Sequence, residues 1–204
     1  MHPYSTDSTR LRTVLLGLAV AAILLAWGLG RALQSLAIEP PWWLDTPAVA
    51  GFYGILWQLY DRYLWHLPAG RATLSGIPDY RGRWIGRVHS SFDTTKVYPA
   101  TLTIRQTSSR ILVELATETS RSVSHMAMLC GAAGSEEGLQ YLYTNRPRGE
   151  PPATAGATVR AMTIHEGVCR LLLSEDRTTV AGDYQNDRHR QTYGTLKLRR
   201  EAAK

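Results

Sequence analysis

Two cysteines, two phenylalanines and six histidines are scarce material for catalysis or metal binding in a chain of 204 residues. Cys130 and Cys169 stand 39 positions apart with no CxxC spacing around them, which excludes zinc-ribbon and thioredoxin-type chemistry. Two buried thiols in a reducing cytosol account for both. His2, His66, His89, His125, His165 and His189 have no ligand spacing with one another or with acids. The sequence also lacks GxSxG, HExxH, P-loop and GxGxxG motifs, and the acidic pairs Glu136-Glu137 and Glu175-Asp176 fall in turns as solvated charge. The expectation is a protein with no catalytic residues, no metal and no cofactor: a binder or an effector, not an enzyme. A formal charge of +6 is too small and too dispersed for a DNA- or RNA-binding tail, but it suits an acidic ligand or an anionic membrane surface.

What is present is divided unevenly. Five of the six tryptophans lie between residues 13 and 67, whereas 18 of the 23 Lys and Arg and 13 of the 17 Asp and Glu lie beyond residue 75. Val14 to Gly30 is an unbroken apolar run of 17 residues; continued past Arg31 to Ile38 it reaches the roughly 20 residues a helix needs to cross hydrocarbon. Arg31 stands near its end, where the stem snorkels to the headgroups, and Arg10 and Arg12 at its start favour a cytoplasmic N-terminus. Pro40-Pro41-Trp42-Trp43 reads as an interfacial turn. Thr46-Pro47 reads as a second helix start, followed by 14 uncharged residues from Pro47 to Tyr60 before Asp61 and Arg62. That length fits an interfacial helix as well as a second span. A cleaved secretory leader ending near Ser35-x-Ala37 is the competing reading of the first run. The domain division expected is a transmembrane hairpin at 1–67, a Pro/Gly linker at 68–78 and a soluble domain at 79–200.

The soluble part has no helical periodicity. Short alternating runs recur every 8 to 12 positions at 82–90, 101–107, 110–117, 122–130, 139–145, 157–165, 169–175, 179–185 and 193–199, joined by tight links such as Ser108-Ser109, Glu166-Gly167 and Asp176-Arg177. Eight or nine antiparallel strands in sequence order close into a small up-and-down, lipocalin-like barrel. Alternation then sorts side chains by face. Leu102, Ile104 and Gln106 share one; Ile111, Val113, Leu115 and Thr117 another. Ser122, Ser124, Met126 and Met128 line up, as do Tyr141, Tyr143 and Asn145, Val180, Gly182 and Tyr184, and Thr192 to Leu198. Singly, each polar or aromatic member is accounted for by packing and local hydrogen bonds. Their convergence at one end points to a cavity for one compact ligand. The candidate binding residues are Trp84, Gln106, Thr117, Ser122, Tyr141, Tyr143, Asn145, Tyr184, Arg190 and Thr192. Arg83 and Arg87 point outward by the same alternation.

The order of parts resembles the membrane-embedded effectors of bacterial CBASS anti-phage operons, the two-transmembrane, β-strand-rich class. The resemblance runs from about Thr13 to Arg200. It is carried by Pro47 to Trp65, Ile77-Pro78-Asp79-Tyr80-Arg81-Gly82-Arg83-Trp84-Ile85-Gly86, Ile104-Arg105-Gln106-Thr107 and Thr117-Glu118-Thr119-Ser120. Tyr141-Leu142-Tyr143-Thr144-Asn145-Arg146-Pro147, Gly182-Asp183-Tyr184 and Arg190-Gln191-Thr192-Tyr193-Gly194 continue it. The resemblance implies a cytoplasmic barrel that binds a cyclic di- or oligonucleotide made by an upstream nucleotidyltransferase. It further implies assembly as a homo-oligomer in the bacterial inner membrane, and membrane disruption that kills the infected cell. Aromatic rings for stacking and amides for base edges suit such a dianion, with Arg190 as phosphate partner. The competing function is an exported lipocalin-like carrier of a lipid or other apolar molecule, supported by Trp84 between Gly82 and Gly86.

Overall fold

The computed structural model describes residues 1–6, 8, 10–37, 45–67, 76–130, 138–148, 164–188 and 190–202. They form two compact units, Met1–Asp7 together with Pro78–Lys204, and Ser8–Ile77. The first unit differs from the division expected at residues 67 and 78 in one respect. The opening residues pack with the C-terminal domain, because two short strands, β1 (His2–Pro3) and β2 (Ser5–Thr6), enter its sheet.

The second unit holds α1 (Arg10–Ser35) and α2 (Asp45–Leu59), the latter running into a π-helical turn, Tyr60–Leu64. Among the described residues α1 is the one helix long and apolar enough to cross a membrane. Its face is not that of a soluble core helix: Leu16, Leu24 and Trp27 are each 60% exposed or more. Arg31 lies 5.6 Å from the Trp27 ring centroid, so the one charge inside the run is covered by an aromatic face. The Pro40 to Trp43 turn and the linker through residue 75 lie outside the described residues.

The C-terminal domain is a closed antiparallel barrel of eight strands. They are β3 (Gly82–Ser90), β4 (Asp93–Gln106), β5 (Arg110–Thr117), β6 (Ser120–Cys130), β7 (Gly138–Pro147), β8 (His165–Leu173), β9 (Thr179–Asn186) and β10 (Tyr193–Arg200). Each pairs with its sequence neighbour, and β10 pairs back onto β3, so no long edge is left open. Period-two alternation is the cause: in β7, Leu139, Tyr141, Tyr143 and Asn145 are buried while the residues between them are not.

Three expectations change. The strand expected at 169–175 is β8, His165–Leu173; it passes straight through Glu166-Gly167, so that dipeptide is not a turn. The strand expected at 157–165 lies almost wholly outside the described residues. In β6 a bulge between Ser124 and Met126 shifts the register, so Ala127 and Leu129 point inward while Met126 and Met128 are exposed.

The barrel's two ends differ. At one end the residues entering β3 form a plug: Tyr80 and Trp84 are fully buried. The Trp84 indole N–H donates to the Tyr80 carbonyl at 3.0 Å, and the Arg200 guanidinium stacks 4.4 Å from the Trp84 ring centroid. Gln106 closes the plug by accepting from the Tyr80 N–H and donating to the Pro78 carbonyl, both at 3.0 Å. Gln106→Leu leaves both backbone groups buried without these partners, at about 1–3 kcal/mol each. Thermal denaturation of the full chain in detergent will show a midpoint roughly 5–20 °C lower, with ligand affinity unchanged.

Candidate functional site

The other end of the barrel opens into a cavity of about 390 Å³. The β3–β4, β5–β6, and β9–β10 turns surround it, as does the mouth end of β7 and β8. Of the ten residues expected to bind ligand, the structure brings eight together there: Thr117, Ser122, Tyr141, Tyr143, Asn145, Tyr184, Arg190 and Thr192. Trp84 and Gln106 are not among the lining residues; they sit in the plug at the opposite end, where their hydrogen bonds give them a structural role. Alternation groups both with the cavity because it sorts side chains by face but not by height along the barrel axis.

Two polar chains line the walls. On one side the Ser122 hydroxyl donates to Asn145 Oδ1 at 2.9 Å, and Asn145 Nδ2 lies 3.4 Å from His165 Nε2. On the other, the Tyr143 hydroxyl donates to Asn186 Oδ1 at 2.8 Å, and Asn186 Nδ2 donates to Thr192 Oγ1 at 2.6 Å. Both amides are therefore held in a fixed orientation before any ligand arrives, a condition for reading hydrogen-bonding edges. Thr117 shapes the β5–β6 turn, its hydroxyl accepting from the Ser120 N–H at 3.1 Å.

The floor is aromatic and uncharged. Tyr141 and Tyr143 have ring centroids 5.9 Å apart. Burial pushes the phenols of Tyr141, Tyr143 and Tyr184 above their ordinary range; the Ser90 hydrogen bond and the Arg190 charge oppose the shift at Tyr184 without reversing it, so all three stay neutral. Burial likewise pushes the Cys169 thiol up to about 12, which removes it as a nucleophile.

The rim is cationic. Arg190 and Lys96 are among the lining residues, which include no carboxylate among those described. Lys96 pairs with Asp93 at 3.1 Å outside the cavity. No described carboxylate pairs with the Arg190 guanidinium; it lies 5.1 Å from the Phe92 ring centroid. A compact turn aims it: the Arg190 and Gln191 N–H groups both donate to the Asp187 carbonyl, with Gln191 at a positive φ of 49°. Such a cavity holds an anion at its rim and flat, edge-bearing rings below.

Sequence reasoning missed Phe92, Lys96, His165, Asn186 and Cys169 as lining residues. His165 and Asn186 sit at the first and last positions of their strands, and both strand limits were misplaced. Phe92 and Lys96 belong to a hairpin whose second strand begins at Asp93, ahead of Pro99, a residue that in sequence argues against a strand.

An apolar helical segment joined to a closed barrel with one cation-rimmed, aromatic cavity defines a membrane-associated small-molecule receptor. Residues 75–200 match the family model "Cap15, cyclic dinucleotide receptor domain", and residues 12–66 match "Cap15, TM helices". The chain belongs to the Cap15 family of CBASS effectors. A relative from Yersinia aleksiciae named CD-NTase-associated protein 15 is 28% identical over 154 residues, covering 75% of this chain and 69% of that protein.

Two glycines set the tilt of the tyrosines. Gly167 is the cross-strand partner of Tyr143, and Gly194 that of Tyr184. A Cβ on Gly167 would stand 2.5 Å from the Tyr143 hydroxyl oxygen and 2.8 Å from Asn186 Oδ1, both far ends of cavity side chains and not backbone. Gly167→Ala is therefore expected to displace the Tyr143 ring and break its bond to Asn186. The outcome is a cyclic-dinucleotide affinity lower by roughly tenfold or more, the loss of one or two hydrogen bonds, with little change in thermal midpoint; calorimetric titration beside thermal denaturation checks it.

Proposed function

We propose that this protein is a cyclic-dinucleotide-gated membrane effector: ligand enters the barrel cavity, copies associate in the inner membrane, and the bilayer is disrupted, killing the infected cell. Its family membership establishes the coarser statement, a CBASS effector sensing cyclic nucleotides at a membrane. The observation that carries the finer one is the cavity's charge and lining, with Arg190 at the rim, no described carboxylate, and amides fixed over neutral tyrosine rings. The ligand-binding set is Thr117, Ser122, Tyr141, Tyr143, Asn145, Tyr184, Arg190 and Thr192, with an upstream nucleotidyltransferase supplying the messenger.

Chain connectivity supports a two-span hairpin. Residues 2–6 lie in the barrel wall, α1 begins at Arg10, and the chain is back in the barrel at Pro78. A span by α1 therefore requires a return crossing before residue 78. Asp45–Leu64, the 15 residues of α2 plus the 5-residue π turn, supply it at roughly 30 Å of length. With Arg10 and Arg12 at the start, the barrel lies in the cytoplasm. Self-association has support in an apolar row on the outer wall, where Met126, Leu142 and Val168 are exposed cross-strand partners. The exported-carrier reading loses ground on the same connectivity, since cleavage near Ala37 would remove two strands from the barrel wall.

Titration of the full chain in detergent with a panel of cyclic dinucleotides is the test. At least one member is expected to bind, and Arg190→Ala is expected to weaken it by about 10- to 100-fold, the range for losing a charge-assisted contact, at unchanged thermal stability. Absence of binding by every member overturns the reading. For the membrane step, ligand added to protein in vesicles of bacterial polar lipid is expected to release trapped dye; an intact vesicle at saturating ligand refutes disruption.

A further inference from the structure

One seam of the barrel wall is built unlike the others. Strands β6 and β7 pair along ten residue pairs, but β5 and β6 pair along three: Glu114 with Val123, Leu115 with Ser122, and Ala116 with Arg121. Those three lie at the cavity end, where Leu115 and Ser122 are themselves lining residues and Thr117 follows next but one after Leu115. Toward the plug end β6 bulges after Ser124 and parts from β5.

The chain's own beginning fills the gap. His2 and Pro3 run antiparallel to Ile111 and Arg110, and Ser5 and Thr6 run parallel to Met128 and Leu129. Ser124 stands at the fork: its hydroxyl oxygen accepts the Val113 N–H at 2.9 Å and shares a hydrogen bond with His2 Nε2 at 2.8 Å. The Tyr4 hydroxyl donates to the Ser108 carbonyl at 2.6 Å, with the Thr107 carbonyl 3.2 Å away. The strap's backbone pairing is short: two strands of two residues each, one antiparallel and one parallel. Only residues 7–9 separate it from α1.

The β5–β6 ladder and residues 2–6 compete for the same backbone. Were the ladder to extend from Glu114 toward Ile111, taking up the bulge, it would claim the N–H of Val113 and the edge now paired with His2 and Pro3. The same backbone edge thus suits two partners, the strap seen here or an extended β5–β6 ladder, and a ligand that grips β5 and β6 at the cavity end would favour the second. We propose that the β5–β6 seam is a strand-binding site whose occupant, residues 2–6, is released when ligand fills the cavity, passing the ligand state to α1. This rests on the cavity being the cyclic-dinucleotide site.

Hydrogen exchange on the full chain in detergent tests it, at saturation by a cyclic dinucleotide whose binding is measured on the same sample. The amides of Tyr4, Ser5 and Thr6 are expected to exchange at least about tenfold faster with ligand, while those of residues 111–113 slow. Unchanged or slower exchange at Tyr4, Ser5 and Thr6 with ligand bound overturns the coupling and leaves the binding reading intact; absence of binding overturns both. A second measurement uses reciprocity: if ligand loosens the strap, loosening the strap must tighten ligand. Tyr4→Phe removes one hydrogen bond from the strap and is expected to raise affinity about two- to tenfold. Equal or weaker binding by a folded Tyr4→Phe protein overturns the proposal, because loosening a strap of purely structural role leaves ligand affinity unchanged or lowers it.

Discussion

The plug at the closed end of the barrel governs the rest of the structure. A ring of eight strands is wide enough inside for side chains to fill it or for one small ligand, and which of the two holds depends on what occupies each end. Here the chain enters through one end and seals it. Trp84, Gln106 and Arg200 hydrogen-bond the entering backbone at Pro78, Asp79 and Tyr80, and Arg200 covers the Trp84 ring. With apolar volume spent there, the opposite end is left to tyrosines and amides that do not fill it. The plug also fixes polarity: both connections to the apolar segment, through Thr6 and through Pro78, leave the barrel from the half that holds the plug.

The cavity's chemistry follows from the same economy of placement. Tyrosines that bury their rings need partners for their hydroxyls, and Cys169 on the adjacent strand β8 and Asn186 one strand further on β9 provide them. The hydrogen bonds that hold these groups in the folded barrel are also the ones that orient them toward a ligand. Arg190 adds the charge: it stands among the lining residues against the Phe92 ring, and its guanidinium pairs with no described carboxylate. A cation at the rim of a cavity whose described lining carries no carboxylate points to an anion.

What the sequence disclosed and what it hid have a common physical basis. Alternation over 82–90, 110–117 and 139–145 was legible because one face of each strand is buried and every second residue reports it. The bulge at Ser124 was not, because one inserted residue reverses the faces without leaving a compositional mark, and Met126 and Met128 were assigned inward for that reason. Glu166-Gly167 looked like a turn because glycine marks turns; here it makes room for a tyrosine ring on the next strand. The strands at His2–Pro3 and Ser5–Thr6 are too short to have a period at all. Their existence depends on a gap between β5 and β6, a tertiary fact no local pattern contains.

That gap matters because a closed barrel is otherwise a poor transmitter. When every seam is fully laddered, a ligand at one end can stiffen the ring but has no second arrangement to select, and a stiff ring with one state carries no signal. A seam with two candidate partners for the same backbone groups supplies the missing alternative. In this chain the seam adjoins the cavity at one end, and the segment it holds at the other continues within three residues into the membrane-length helix. The gap in the ladder thus sets the segment that leads into the membrane-length helix against the two strands that carry Thr117 and Ser122 at the cavity, a position from which a two-state element can pass ligand binding to the membrane.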